Sequence, residues 1–449
     1  MKFTFFDTET TGLQTRFDYA LTFSAKTYDQ SFTLIDEINL QTGLKPGLIP
    51  SIFALATNKL KITDLRNSNM SYLEMTREIH NYLMKHTPSY IIGHNSLSFD
   101  REILRSQFYQ CLLPVYICQT MGNQEADSLH LARSAYTFSP TSLKVSMNDK
   151  GKPDFRLESL SSANQLDHTN AHEAESDVLA CEGLLNKIKK NDPKFFEDCL
   201  QMTSKKGIEQ FINQNLVFCH SPFYDQKLLL TNCLKYGSGY FTYDLKFDPD
   251  DYLDLSAKEL AKIVRKKSSP FYFIKNNKMP ILLDLSYIKY IQYDISEEML
   301  FERAQKIRAN KSFKDALQLA ADLTEKDWPE GATVEEKIFS GGFPEQFDQN
   351  LMKVFHNSDW NERAIIASQF EDPRFTELAN RLIFEENRSL LSANVINQVE
   401  KDIHNKLHVN DNQPRSLHQA IADFETFKEK NPGVDSTPLT QYEQFLKAI

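Results

Sequence analysis

The chain has 449 residues, 41% of them hydrophobic and 25% charged, with six cysteines and a formal net charge of −10. That length supports roughly two to four domains with sizeable cores, and the composition is that of a soluble globular protein. No apolar run approaches a membrane span, and the scattered cysteines, with no Cys-x-x-Cys pair, point to reduced thiols rather than disulfides or a zinc site.

The net charge at first disfavours a nucleic-acid partner. Its distribution softens that: residues 336–449 hold 12 basic and 18 acidic side chains, which leaves −4 for the first 335 residues. The first predicted strand starts at Lys2, leaving no room for a signal peptide, so a cytoplasmic protein is expected.

Lys2–Phe6 is apolar and reads as a strand that ends in Asp7 and Glu9. Side chains alternate along a strand, so the two carboxylates share a side and repel. A divalent cation such as Mg²⁺ or Mn²⁺ would relieve them; an exposed turn with two ordinary acids fits the octapeptide Phe5–Gly12 equally well. Two more strands are predicted in "YALTFSAKTY" and "SFTLIDEINL". Ser71 and Glu74 form a capping-box pattern opening a helix through about Lys85, with Tyr72, Met75, Ile79, Tyr82 and Leu83 on one face. "SYIIG" reads as a short buried strand, and "FDREILRSQFYQ", "DSLHLARSAY", "FRLESLSSANQ" and "AHEAESDVLACEGLLNKIKKN" as helices. This order suits an RNase H-like α/β layout.

From about Asn191 the pattern turns to short β-rich runs with aromatics and turn residues, Asn276-Asn277 among them, as in a small β-barrel-like domain. Two helices follow, then a linker at 328–331, then a mostly helical remainder.

Asp100 stands at the entrance of a predicted helix, where an N-cap is the ordinary role. His172 lies near another helix start and Asp177 five residues later, beside the core-facing positions Val178, Cys181, Leu184, Leu185 and Ile188. Alone, His172 reads as a surface histidine and Asp177 as a lysine's partner. An acid beside a core face is costly unless paired or bound to metal.

In combination, Asp7-x-Glu9, "HNSLSFD" ending in Asp100, and His172 followed by Asp177 resemble the DEDDh family of 3′→5′ exonucleases. "FRLESLSSANQLDHTNAHEAESDV", "NNKMPIL" and "SGGFPEQFDQNLMKVF" are similar to its exonuclease I branch, bacterial enzymes acting on single-stranded DNA. The resemblance implies an RNase H-like exonuclease domain at 1–195, an SH3-like barrel domain with added helices at 196–335, and a helical domain at 336–449. It implies two-metal hydrolysis of single-stranded DNA from the 3′ end, releasing 5′-mononucleotides, processively, in repair and recombination. Two such ions sit about 3.5–4 Å apart. Asp7 would bridge two Mg²⁺ (Mn²⁺ substituting), Glu9 and Asp177 would complete one, Asp100 would position the other, and His172 would be the base. Glu9, Arg105, Tyr116, Arg133, Arg156 and Lys278 would contact the strand, the arginines on phosphates and the tyrosine on a base. Arg156 also reads as a plain ion-pairing residue. The implied partners are single-stranded DNA and a single-strand DNA-binding protein, for a monomer without a membrane.

The chain departs from that branch at Thr22-Phe23-Ser24, where Gln-Phe-Ala is usual, and at "ICQTMGNQEAD", which replaces a tryptophan-rich stretch. The competing readings are an RNA-trimming DEDDh exoribonuclease, which would lack the 254 residues after 195, and a catalytically silent single-strand DNA clamp, which would be expected to lose a carboxylate.

Overall fold

The computed structural model describes residues 1–166, 173–223, 226–266, 268–326, 329–408, 415–433 and 436–449. β1 (Lys2–Thr10), β2 (Ala20–Tyr28) and β3 (Leu34–Gln41) form an antiparallel meander; β4 (Ser89–Gly93) and β5 (Gln124–Asp127) extend it in parallel, giving the order β3-β2-β1-β4-β5. Two short helices, α1 (Ile52–Thr57) and α2 (Ile62–Arg66), precede α3 (Tyr72–Lys85). Ser71 and Glu74 close a reciprocal capping box at the start of α3. α4 (Asp100–Gln110), α5 (Ser128–Phe138), α6 (Leu157–Asn164) and α7 (Ala174–Asn191) complete the first unit.

β1 is longer than its apolar run predicts. β2 accompanies it to Thr10↔Ala20, so Asp7 and Glu9 lie within a paired strand and not beyond its end. β3 begins later than predicted, because Asp29 folds residues 29–33 into a turn: its Oδ1 accepts from the amides of Ser31 and Thr33, and Phe32 is left-handed at φ 62°. β5 was unanticipated, since Gln124-Glu125-Ala126-Asp127 has no apolar run to announce it.

The β-rich segment also starts later than the composition suggests. α8 (Pro193–Gln201), capped by Asp192, and α9 (Lys205–Gln214), capped by Ser204, come first. A second, antiparallel sheet then follows in the order β10-β6-β7-β8-β9, from β6 (Phe218–Phe223), β7 (Gln226–Tyr236), β8 (Gly239–Asp244), β9 (Phe271–Lys275) and β10 (Leu282–Leu283). α10 (Ala257–Ala261) lies between β8 and β9, and α11 (Glu297–Ala309) and α12 (Lys311–Leu323) follow the sheet. The C-terminal region is helical: α13 (Lys337–Ser340), α14 (Gln346–Asn357), α15 (Trp360–Ala367), α16 (Pro373–Asn387), α17 (Ala393–His408), α18 (Leu417–Lys430) and α19 (Ser436–Lys447). Among the described residues no helix is long and apolar enough to cross a membrane.

One hydrophobic core runs beneath both sheets, from Phe3, Phe5, Val178 and Leu184 to Phe241, Tyr243, Leu283 and Leu300. A second joins Tyr19, Leu21 and Tyr109 to Phe355, Phe375, Leu382 and Phe424 of the C-terminal helices. A third, with Phe6, Phe23, Ile79, Ile103 and Phe108, lies between the first sheet and α3–α4. β1 therefore divides its side chains by parity: Phe3 and Phe5 face α7, and Phe6 faces α3 and α4.

β4 leaves β1 at Phe5↔Ile92, so residues beyond Phe5 have β2 on one edge and no β4 on the other. Gly93 makes that departure possible: a Cβ there would lie 2.6 Å from Ser96 Cβ and 3.1 Å from the Phe6 carbonyl oxygen. We expect Gly93→Ala to cost about 1–3 kcal/mol through overpacking and to push on β1 next to Asp7. A thermal melt equal to wild type would show that the Ser96 loop absorbs the methyl group freely.

A carboxylate cluster beside a basic cleft

The odd-numbered face of β1 continues from Phe3 and Phe5 into Asp7 and Glu9, and α7 covers it with Asp177 in its first turn. Asp7, Glu9 and Asp177 each offer a carboxylate oxygen, all within 4.8 Å of one another, and all three are half-buried. Thr8, on the even face, reaches the other way and donates to Asp100 Oδ1 at 2.5 Å, at the buried start of α4. The period-2 strand thus places two acids against one helix and, through Thr8, ties a third to another.

Burial raises the Asp7 carboxyl well above its usual range, and Asp100, Asp177 and Glu9 raise it further. Burial also lifts Glu9 to about 8, reinforced by Asp177 and Asp100 and opposed by Lys59. Asp100 is lifted to about 6, again chiefly by burial, with the Thr8 hydroxyl bond opposing. Oxygen ligands crowded until they hold their protons are the donor set of a hard divalent cation, whose charge reverses each of these shifts. Asp7, Glu9 and Asp177 would hold it, with Asp100 alongside. His172, the predicted base, lies outside the described residues.

Two positioning residues escaped the sequence reading. Asp127 is 0% exposed and accepts amide hydrogens from Asn95, Leu97 and Leu129. It pins the loop that delivers Asp100 while capping α5. His94 bridges Ser128 Oγ at 2.8 Å and the Phe155 carbonyl oxygen at 2.9 Å, tying that loop to the segment before α6. An Asp before a helix reads as a plain cap, and a single His after a short strand carries no signal of its own in the sequence.

Of the predicted strand contacts, Arg105, Tyr116 and Lys278 line one cleft of about 800 Å³ with Arg101, Glu102 and Phe343. The Arg105 guanidinium lies 5.1 Å from the Tyr116 ring centroid. Lys278 donates to the Leu97 carbonyl oxygen at 2.8 Å. Arg133 lines a neighbouring cavity of about 300 Å³, which Lys278 also borders, and lies over Phe155 at 5.9 Å. Arg156 stands apart from both cavities; its side chain is 74% exposed and is forked onto Asp154, the ion pair that the plain reading expects. Burial would raise Glu102, yet Arg105, Arg101, Arg16 and Lys278 outweigh it and hold its carboxyl below the usual range.

Comparison with known proteins places these features. The family model described as "Exonuclease" matches residues 4–185. Exodeoxyribonuclease I of Haemophilus influenzae is 27% identical over 317 residues, 64% of this chain and 66% of that protein, just under two thirds of the relative's length. Among solved structures, exonuclease I of Methylocaldum szegediense covers the chain entirely, and 99% of its own length is covered, at a TM-score of 0.87 and 19% identity. A zinc-bound complex of Escherichia coli exonuclease I with single-stranded DNA covers 100% and 99% at 0.85 and 18%. A complex of exonuclease I with SSB and an inhibitor does so at 0.84 and 18%. At these identities the solved structures establish the fold: an RNase H-like α/β unit with a helical C-terminal region.

Glu9 yields a pH test. Its folded value near 8 exceeds its ordinary 4.5, so the stability it contributes to metal-free protein is complete below about pH 4.5 and is lost as pH rises through 8. In EDTA, the melting temperature of Glu9→Gln minus that of wild type should grow from pH 5 to pH 8.5. Mg²⁺ or Mn²⁺ should raise wild type more than the variant at the upper end. A difference that stays flat with pH would mean that Glu9 is solvated and outside the cluster.

Proposed function

From an exonuclease-family domain at residues 4–185, carried on a chain related to the exodeoxyribonuclease I proteins, we propose a metal-dependent exodeoxyribonuclease that degrades single-stranded DNA in the 3′→5′ direction. The observation that carries the proposal is the meeting of Asp7, Glu9 and Asp177 within 4.8 Å, with Asp100 bonded to the intervening Thr8. Two Mg²⁺ ions, with Mn²⁺ as substitute, would supply Lewis-acid neutralisation of the attacking and leaving oxygens. The chain's own residues do the rest. Asp7, Glu9 and Asp177 would hold the ions against β1, Asp7 as the ligand common to both, and so fix the counter-charge for the reacting phosphodiester. Asp100, pinned by Asp127, keeps the opposite side. His172 takes the proton of the water whose oxygen bonds to phosphorus; the P–O3′ bond breaks, and the departing 3′ oxygen is protonated from solvent, which gives a 5′-mononucleotide and a new 3′-hydroxyl.

The substrate reading rests on the cleft beside the cluster. Arg105, Tyr116 and Lys278 suit phosphates and a base face, Arg133 extends the path, and the exposed Arg156 would have to exchange Asp154 for a phosphate. Glu9 would also touch the terminal nucleotide. We read the chain as three units, 1–195, 196–335 and 336–449, the second sheet as an SH3-like barrel, and the two later units as lengthening the grip into processive action. A cytoplasmic monomer serving repair and recombination, met by a single-strand DNA-binding protein, completes the proposal. The SSB complex of the related enzyme supports that partner.

Labelled oligonucleotides test it. With Mg²⁺, a 5′-labelled single strand should shorten to a ladder from its 3′ end, while blunt duplex and 3′-phosphorylated strand resist. Asp7→Ala should lose several orders of magnitude of rate with its fold intact, and EDTA should abolish wild-type cleavage. His172→Ala should slow hydrolysis by roughly 10²–10⁴-fold with strand binding kept. Early release of the 5′ label as a mononucleotide would overturn the polarity. Equal cleavage of matched RNA would favour a ribonuclease, and binding without cleavage a clamp.

A further inference from the structure

The cleft that would carry the strand already holds anions of its own. Glu102 Oε1 accepts from Arg101 Nε and Nη2 and from Arg105 Nη1, at 3.1–3.3 Å, and its Oε2 lies 3.5 Å from Arg16 Nη2. Glu125 Oε2 takes Arg101 Nη1 at 3.1 Å, Gln119 Nε2 at 2.5 Å, and Arg105 Nη2 at 3.5 Å. The other oxygen of Glu125 is buried and has no hydrogen-bond partner among the described residues. The side chains of Arg101 and Arg105 are 4% and 8% exposed. Their forks are filled by carboxylates, so an incoming anion would have to displace one.

The same cluster touches each part of the chain. Arg101 Nη1 also donates to the carbonyl oxygen of Asn277, in the turn after β9. Arg16 lies 4.4 Å from the ring centroid of Phe339 in α13, and Arg105 stands beside Tyr116. Arg101, Arg105, Lys205 and Lys278 line this cleft against Glu102 and Glu125, four cations to two carboxylates, so it is locally positive in a chain of net charge −10.

We propose that Glu102, with Glu125, is an internal stand-in for a backbone phosphate: it keeps the arginines in position in the free protein and competes with the strand for them in the complex. This rests on the single-strand DNA reading above. Binding is then an exchange of one anion for another at a preset fork. The forks stay ordered at no entropic cost to the strand, and each phosphate is held weakly enough to be released. A nuclease that must move its strand by one nucleotide per cut needs contacts of that kind. Glu102 is a positioning residue and takes no part in the chemistry.

The test is Glu102→Gln, which keeps the shape and removes the charge, paired with Glu125→Gln, which removes the other carboxylate. Fold is checked by circular dichroism. Affinity for fluorescein-labelled oligo-dT is measured in EDTA across a salt series, and kcat and KM with Mg²⁺. At least one folded variant should bind about threefold tighter or more at low salt, with a salt slope steeper by up to ~0.7, and with both KM and kcat lowered because release slows. A residue that merely braces the fold would give the opposite, a raised KM and weaker binding. Unchanged or weaker binding in the folded variants overturns the inference while leaving the exonuclease reading standing. Failure of wild type to bind or cut oligo-dT overturns both.

Discussion

Everything near the site answers to one electrostatic fact: burial and neighbouring carboxylates together raise the proton affinity of Asp7, Glu9 and Asp100, and the four acids of the cluster, Asp177 included, are nonetheless held together. Such a cluster cannot assemble by mutual attraction. It is imposed by elements whose stability lies elsewhere. β1 is fixed by β2 along its length and by Phe3, Phe5 and Phe6 on its two faces. α7 is fixed by Val178, Cys181, Leu184, Leu185 and Ile188. Apolar burial, at about 25 cal/mol per Å², offsets the repulsion, which a divalent cation held there would relieve.

The basic cleft shows the reverse arrangement. There, like charges on Arg16, Arg101 and Arg105 are reconciled by two carboxylates, so that the cations remain fixed without a ligand. The two regions lie on the same short helix: Asp100 opens α4, and Arg101, Glu102 and Arg105 occupy its first turns. Because Asp127 pins the loop entering α4, a single buried carboxylate sets the place of a proposed metal ligand and of the arginine forks together.

Much of this was legible in the sequence, and for definite reasons. Asp7 and Glu9 could be placed on one face because a strand has period 2, and α3 could be delimited because Ser71 and Glu74 sit three apart before a one-sided apolar run. What failed to show was whatever depends on partners distant in the chain. The true end of β1 is decided by β2, not by its own apolar residues. β5 is a strand because β4 lies beside it, with no apolar run of its own. In sequence Arg105 and Arg156 read alike, as arginines that the resemblance places on phosphates. One proves to be sunk among carboxylates and the other solvent-exposed and forked onto Asp154, a distinction that belongs to Glu102 and Glu125 as much as to the arginines. The α8–α9 pair was hidden by the aromatic, strand-like chain that follows it.

The continuous core beneath the two sheets has a further consequence. Phe5 and Val178, which support the acid cluster, belong to the same packed set as Phe241, Tyr243 and Leu283 of the second sheet. Interiors are close-packed and transmit strain. The second sheet therefore cannot come away as a loosely tethered accessory; its departure would open the floor under β1 and α7. Heat or denaturant should find these two regions as one cooperative unit, and a chain that loses the later strands would lose the rigidity that holds four carboxyl groups in place, long before it lost the residues that carry them.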